Sequence, residues 1–384
     1  MNILYLSESD PRKKDYGGAQ RTHFIWKALQ QKGEVYSVIF DQQFNTEEIA
    51  PNIWHIRKLL KVNKLHYFFY RLERKVLEPF HVLPLWPIPT KLEKSISELF
   101  PHIHFDIVVC RYCFDLMEMH LWNFPKIYVD FDDHPLEMYN TLKSLQVHRF
   151  LRPIGRWIIK RQMFFLQKRI SGGWISNPNQ ANLFRCKEGV HALKNIALVP
   201  SLRYDFNAQR KPMLMIVGAM SYYPNFSGVD RFLKDIWCKV SLKHPDLRIV
   251  VVGKGAPSNY IDVWKEYGAE CLGFVENLEE LYQQCLATIV PIYSGGGTCI
   301  KTIESMSYGR VCISSPFGAR GMEDYVGYAN SGLQVFDSVE SFVEILEDII
   351  LNANVRMKHE QSAKKYVEAN YCQESFNQSI LSVI

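Results

Sequence analysis

Three glycines, a lysine and a glutamate fall within ten residues of one another in Ser294-Gly-Gly-Gly-Thr-Cys-Ile-Lys-Thr-Ile-Glu304. The stretch follows an apolar run, Ala287 to Ile292. It precedes a segment in which Ile300, Ile303, Met306 and Ser307 share one helical face. A strand-to-helix turn is expected, with Gly295, Gly296 and Gly297 in the turn and Thr298 as the helix N-cap. The first amides of a helix lack intrahelical acceptors, and the helix dipole adds partial positive charge there. Glycines let a phosphate come close to those amides. Lys301 can neutralise a phosphate, and Glu304 can accept hydrogen bonds from a vicinal diol such as a ribose. A diphosphate next to a ribose is a nucleoside diphosphate. Glycines also mark turns that bind nothing; the Lys and Glu at these offsets are what favour the anion site.

The elements that must hold this loop read as strands alternating with helices. Asn2 to Ser7 is a strand-like run, followed by a polar loop through Gly17-Gly18 and a helical stretch from about Arg21 to Gln31. A second opening of the same kind starts at Pro212, with a loop around Ser221 and a helical stretch from about Gly228 to Val240. Further apolar strands are expected at 34–40, 106–110, 248–253, 287–291 and 311–315. Alternation of this kind implies an α/β fold with parallel sheets covered on both faces, and ligands at the carboxyl ends of the strands. At 384 residues two domains are expected, 1–200 and 201–365, with a final helical segment, 366–384, that can rejoin the first. The polar stretch 203–212 reads as the linker.

Charge is uneven along the chain. Residues 1–200 carry 28 Lys and Arg against 19 Asp and Glu; the remainder carries 17 against 21. Two basic aromatic segments, 57–78 and 148–170, lie in the first half, and the second holds seven Lys and Arg and no acid. They read either as helices with solvated basic faces or as a surface that lies on anionic lipid, with Trp157, Phe164 and Phe165 near the headgroups. RNA would satisfy the charge equally well, but no RNA-binding motif is present, so no nucleic-acid partner is expected. No run of 18 apolar residues occurs, and Met1 leads directly into a strand without a basic n-region. These features lead to the expectation of a cytoplasmic protein, with contact to the inner face of the plasma membrane as a hypothesis.

Nine cysteines, scattered and mostly in apolar contexts, fit reduced thiols rather than a disulfide framework. Cys110 and Cys113 have metal-ligand spacing but lack a second pair, so no metal site is expected. Gly253-Lys-Gly255 begins like a dinucleotide-binding fingerprint, but Ser258 stands where its third glycine belongs.

With the glycine loop on its strand and helix, the second half resembles the family 4 glycosyltransferases of the GT-B fold, in their Gly-rich subgroup. The resemblance is carried by IVGAMSYYPNFSGVDRF (216–232), RIVVVGKGAP (248–257) and the block from Cys271 to Met322. It covers roughly half the chain; the first half, with MNILYLS and Val129-Asp-Phe-Asp-Asp-His-Pro135, is more weakly similar. It implies two doubly wound Rossmann-like domains facing a central cleft. The implied reaction is a retaining, metal-independent sugar transfer from a nucleoside diphosphate sugar to a glycan or lipid-linked acceptor, a surface polysaccharide or glycolipid of the cell envelope, without a cofactor. Gly295 to Thr298 would seat the diphosphate and Lys301 would pair with it. Glu304 would hold the ribose, and Phe274 and Val275 would border the base. Gly17 and Gly18 would approach the phosphates and acceptor, and Asp133 or His134 would face the donor sugar.

Two departures stand out. The family's first glutamate falls at Gly296, and its basic residues after the first strand of the second domain are replaced by Ser221 and Asn225. Lys301 is left as the main side-chain charge, with Lys254 as a helper. Asp130, Asp132 and Asp133 crowd the loop before His134, where they could orient the imidazole or raise one another's pKa. A purely structural role is the alternative there, with Asp133 capping a helix that starts near Pro135. Two other functional readings also remain open: a GT-B epimerase acting on the nucleotide sugar itself, and a non-catalytic nucleotide-sugar binding protein.

Overall fold

The computed structural model describes residues 1–14, 17–41, 46–57, 64–80, 92–112, 123–141, 147–196, 205–206 and 209–384. The chain forms two units, one of Met1–Lys194 with Gln373–Ile384, the other of Asn195–Cys372. Each is built on its own sheet.

In the first unit the sheet contains β1 (Asn2–Ser7), β2 (Glu34–Asp41), β3 (Glu47–Ala50), β4 (Ile53–Arg57), β5 (Ile107–Arg111), β6 (Ile127–Asp130), β7 (Gly172–Ile175) and β8 (Val190–Ala192). Their order is β3-β4-β2-β1-β5-β6-β7-β8, parallel except for the β3–β4 pair. Every residue of β5, β6 and β7 is buried. That is why these strands read as unbroken apolar runs: helices cover both faces of a parallel sheet. The helix Gly17–Leu29 follows β1 and packs against Gln373–Leu381, a helix that returns to this unit after the second one is complete. Phe24 meets Phe376 edge-on, and Trp174 Nε1 donates to the Ser379 carbonyl at 3.4 Å.

The second unit holds β9 (Met213–Val217), β10 (Arg248–Val252), β11 (Ala269–Gly273), β12 (Ala287–Val290), β13 (Val311–Ser314) and β14 (Leu333–Val335). They are ordered β11-β10-β9-β12-β13-β14, all parallel. Its core gathers Leu214, Ile216, Phe232, Trp237, Trp264 and Phe342. A buried cluster fixes the helix Ala353–Asn370 against this sheet: Arg310 Nη1 lies 2.9 Å from Glu360 Oε1, and Arg210 Nη2 lies 3.3 Å from Glu360 Oε2. Sheet order reverses at β9 and β12, since β10 and β12 flank β9 on opposite sides. A doubly wound sheet opens a crevice for ligands at such a switch point, beyond the carboxyl ends of the strands.

Three local expectations are corrected. Gly17 and Gly18 are not in a loop; they are the first residues of the Gly17–Leu29 helix, which meets no breaker between Gly18 and Arg21. The helix expected from Gly228 begins at Tyr223, because Pro224 suits a first helical turn. It runs through a π-turn, Leu233–Trp237, into Cys238–Lys243. Thr298 is not the N-cap of the Ile300–Ser307 helix: Cys299 is, and no side chain caps that end.

Candidate functional site

The carboxyl ends of β9 and β12 bring the glycine loop, Lys301 and Asn225 together. Gly228, in the helix after β9, touches the end of β12 so closely that a Cβ would lie 2.0 Å from the Pro291 carbonyl oxygen. At the end of β9, a Cβ on Gly218 would lie 2.8 Å from Lys301 Cε and 2.9 Å from Asn225 Nδ2. The absent side chain is what admits both groups. Asn225 is buried and donates from Nδ2 to the Ala219 carbonyl at 2.7 Å, so its Oδ1 faces Lys301 and accepts from the ammonium. The lysine is thereby held at the end of β9 instead of swinging into water.

The glycine loop itself adopts left-handed backbone at Gly295 (φ 124°) and Gly297 (φ 54°), conformations that residues with a Cβ avoid. Gly295 lies beside Tyr222 and Pro224; a Cβ there would stand 3.6 Å from the Tyr222 hydroxyl. Thr298 accepts a hydrogen bond from Asn195 Nδ2 at 3.0 Å, both groups being buried. With Cys299 at the cap and no capping oxygen, the first turn of Ile300–Ser307 keeps its partial positive charge uncompensated by a side chain. The arrangement suits an anion with more than one oxygen to place.

Glu304 lies one turn further in, and among the described residues no hydrogen-bond donor meets its carboxylate. Burial pushes its pKa up to about 7, with Lys301 pulling the other way. Tyr282 and Tyr308, stacked at 4.1 Å, form the wall beside it. A carboxylate in this setting gains from a hydroxyl that donates to it. Its contribution to stability is full below the ordinary carboxylate range and is lost as the pH rises through about 7. Phe274 and Val275 follow β11. Phe274 is 70 % exposed with Lys254 Nζ 5.6 Å from its ring centre, while Val275 packs against the Tyr282 cluster. Gly296 offers no side chain to a sugar.

In the first unit, two of the carboxylates before His134 meet arginines. Asp130, fully buried at the end of β6, is bridged by two arginines: Arg21 Nη2 at 2.6 Å from Oδ1 and Arg111 Nη1 at 2.7 Å from Oδ2. Arg111 Nη2 also donates to Asp132 at 2.7 Å, and Arg21 Nη1 to the Leu193 carbonyl at 2.9 Å. The opposing charges of Asp130, Asp132, Arg21 and Arg111 are paired inside the sheet. His134 is buried against Phe184, and burial pulls its pKa down to about 4. Its Nδ1 accepts the Leu136 amide at 3.2 Å at the start of the Pro135–Thr141 helix. His134 thus accepts a first-turn amide of that helix in the manner of a capping side chain. A neutral ring that accepts at Nδ1 carries its proton on Nε2, so it can donate a hydrogen bond. Asp133 is half-buried, and its amide turns back to the Phe131 carbonyl at 2.6 Å.

Cys110 is buried at the end of β5, with Sγ 3.0 Å from the Tyr112 carbonyl oxygen, and Cys113 lies outside the described residues. Sequence reasoning missed Arg21, Arg111, Asn195, Gly218 and Arg320. Arg111 carried a usable signal: an arginine ending a wholly buried strand requires a buried carboxylate partner.

Residues 211–352 match the family model described as Glycosyl transferases group 1. A search of curated proteins finds no match. Among solved structures, the chain is similar to sucrose-phosphate synthase from Thermosynechococcus elongatus (TM-score 0.68, 14 % identity, covering 100 % of this chain and 98 % of that one). It is also similar to WaaG, a glycosyltransferase involved in lipopolysaccharide biosynthesis (0.63, 13 %, 99 % and 99 %). A third similar structure is Anabaena HepE in complex with UDP and glucose (0.64, 11 %, 99 % and 98 %). At these identities the likeness establishes the fold: α/β, GT-B, with two Rossmann-like domains.

Proposed function

We propose that this chain is a retaining glycosyltransferase that moves a sugar from a nucleoside diphosphate sugar to a glycan or lipid-linked acceptor. The observation that carries the proposal is the meeting, at the β9/β12 switch point, of a left-handed glycine loop, an asparagine-held lysine and the buried carboxylate of Glu304. The match of this region to the group 1 glycosyl transferases supports it, as does the UDP and glucose held by HepE. In this reading the diphosphate lies against Gly295 to Thr298 and the first turn of Ile300–Ser307. Leaving-group charge grows in the transition state, where Lys301 and the amides stabilise it without a metal ion. Glu304 accepts from the ribose hydroxyls. On the first unit, His134 and Asp133 are the candidate catalytic residues, and the neutral imidazole can donate from Nε2.

A pH profile tests the ribose assignment. Ribose hydroxyls donate to the ionised carboxylate, so affinity for the nucleotide rises as Glu304 deprotonates through about pH 7. Isothermal titration of nucleoside diphosphates across about pH 6 to 8 is expected to show this rise. Glu304→Gln removes it, leaving only the phosphate's own titration. A wild-type profile that Glu304→Gln reproduces would count against the assignment. Sugar transfer with release of the free diphosphate separates transferase from epimerase or simple binding protein.

The acceptor side is proposed to meet an anionic membrane surface. Among the described residues no helix is long and apolar enough to cross a membrane. On the helix Arg152–Gln167 and the turn before it, Phe150, Ile154, Trp157 and Phe164 form an exposed stripe, and Phe164 is 59 % exposed. Arg149, Arg161 and Lys168 lie over Phe150, Trp157 and Phe164. The helix Lys64–Leu77 adds exposed Leu65, Phe68, Leu72 and Val76; residues 58–63 lie outside the described residues. Aromatic rings collared by cations match a headgroup layer of anionic lipid. Flotation with vesicles of about half phosphatidylglycerol should carry the protein upward, and Trp157→Glu with Phe164→Glu should leave it at the bottom. Wild-type protein that stays at the bottom would remove the membrane from the proposal.

A further inference from the structure

The glycine loop is held from outside by a residue that belongs neither to it nor to the helix that follows. Arg320 Nη2 donates to the Gly297 carbonyl at 3.1 Å, with the guanidinium lying over Phe317 at 3.5 Å. Arg320 stands on the turn after β13, and that turn is itself tied down at several points. Ser315 donates from its amide to the Val290 carbonyl at 3.1 Å and from Oγ to the Ile292 carbonyl. Thr302 Oγ1 donates to the Gly318 carbonyl at 2.8 Å. A Cβ on Gly318 would lie 2.4 Å from Ser314 Oγ and 3.0 Å from the Val290 carbonyl oxygen, so the turn sits hard against the strands. Arg320 thus reaches the loop from a rigid base.

From this we infer that Arg320 is a positioning residue for the donor diphosphate, acting through the Gly297–Thr298 peptide. In a trans peptide the carbonyl and the following N–H point in opposite directions. An arginine that pulls on the Gly297 carbonyl therefore turns the Thr298 amide toward the other face of the loop. Asn195 holds the Thr298 hydroxyl at 3.0 Å, so the same peptide is pinned on both sides. Gly297, at φ 54°, has no side chain to set its own conformation. The bond from Arg320 supplies that constraint, and its positive charge adds to that of Lys301. A site ordered before the ligand arrives loses less entropy on binding.

The inference rests on the donor-site reading above, and the experiment separates the two. Affinities of the full chain are measured for the diphosphates and monophosphates of uridine, adenosine, guanosine, cytidine and thymidine. Arg320→Ala is expected to weaken the best-bound diphosphate about tenfold while the matching monophosphate changes less than about twofold. Arg320→Lys, which keeps a donor and a charge but loses the flat contact with Phe317, is expected to recover to within about threefold of wild type. A merely structural role would shift both nucleotides together. A diphosphate-to-monophosphate ratio that Arg320→Ala leaves unchanged overturns the inference and spares the donor site. Wild-type protein that binds none of these diphosphates overturns both.

Discussion

Replacing Asp130 by alanine is expected to lower the stability of the first unit by about 3–5 kcal/mol. Asp130 neutralises Arg21 and Arg111 at once, and both guanidiniums are at most 2 % exposed. Without it, Asp132 is the one carboxylate paired with both buried cations among the described residues, and it already takes a bond from Arg111. An unpaired buried charge costs far more than the pair contributes, because water cannot reach it. Against a total stability of about 5–15 kcal/mol, such a loss is large. Hydrogen exchange of peptides spanning β5 to β7 reports the first unit separately from the second. A change below about 1 kcal/mol in those peptides would show that the arginines find solvent when Asp130 is gone. The same substitution should also alter the presentation of His134, since Asp132, held by Arg111, carries a left-handed backbone (φ 57°) two residues before it.

Lys301→Ala is expected to weaken diphosphate affinity by roughly ten- to a hundredfold, in line with loss of one charge-assisted hydrogen bond of about 1.5–3 kcal/mol. The effect should be close to nil for the corresponding nucleoside, which lacks the phosphates. Asn225→Ala should give a smaller loss of the same kind, because it frees the ammonium without removing it. Gly218→Ala is a third route to the same defect: the added methyl occupies the space of Lys301 Cε and Asn225 Nδ2. Titration of diphosphate against nucleoside for the three variants checks the set. Equal losses for both ligands would place Lys301 outside the phosphate site.

Much of the architecture was legible because parallel strands buried on both faces leave long apolar runs. β5, β10, β12 and β13 fall where such runs occur. Helix starts were harder. A proline in the first turn looks like a loop signal, which hid the true start at Tyr223. The turn around Gly297 and the helix beyond were readable from glycine, lysine and glutamate spacing. Their supports were not, because Gly218, Asn195 and Arg320 act across distances in sequence that only the closed sheet makes short. The acidic loop hid its partners for a related reason. Three aspartates in a row of four residues read as mutual repulsion, whereas the compensating cations come from Arg21 and Arg111.

The helix Gln373–Leu381 has a consequence for how the chain is made. It covers the Gly17–Leu29 helix and meets Trp174, yet it is translated only after the whole second unit. The second unit, continuous from Asn195 to Cys372, is synthesised before the segment that completes the first. Residues 1–194 must therefore wait with one flank of their core uncovered. During that interval the flank that the Gln373–Leu381 helix covers in the folded chain, Phe24 included, is open to solvent and to chaperones.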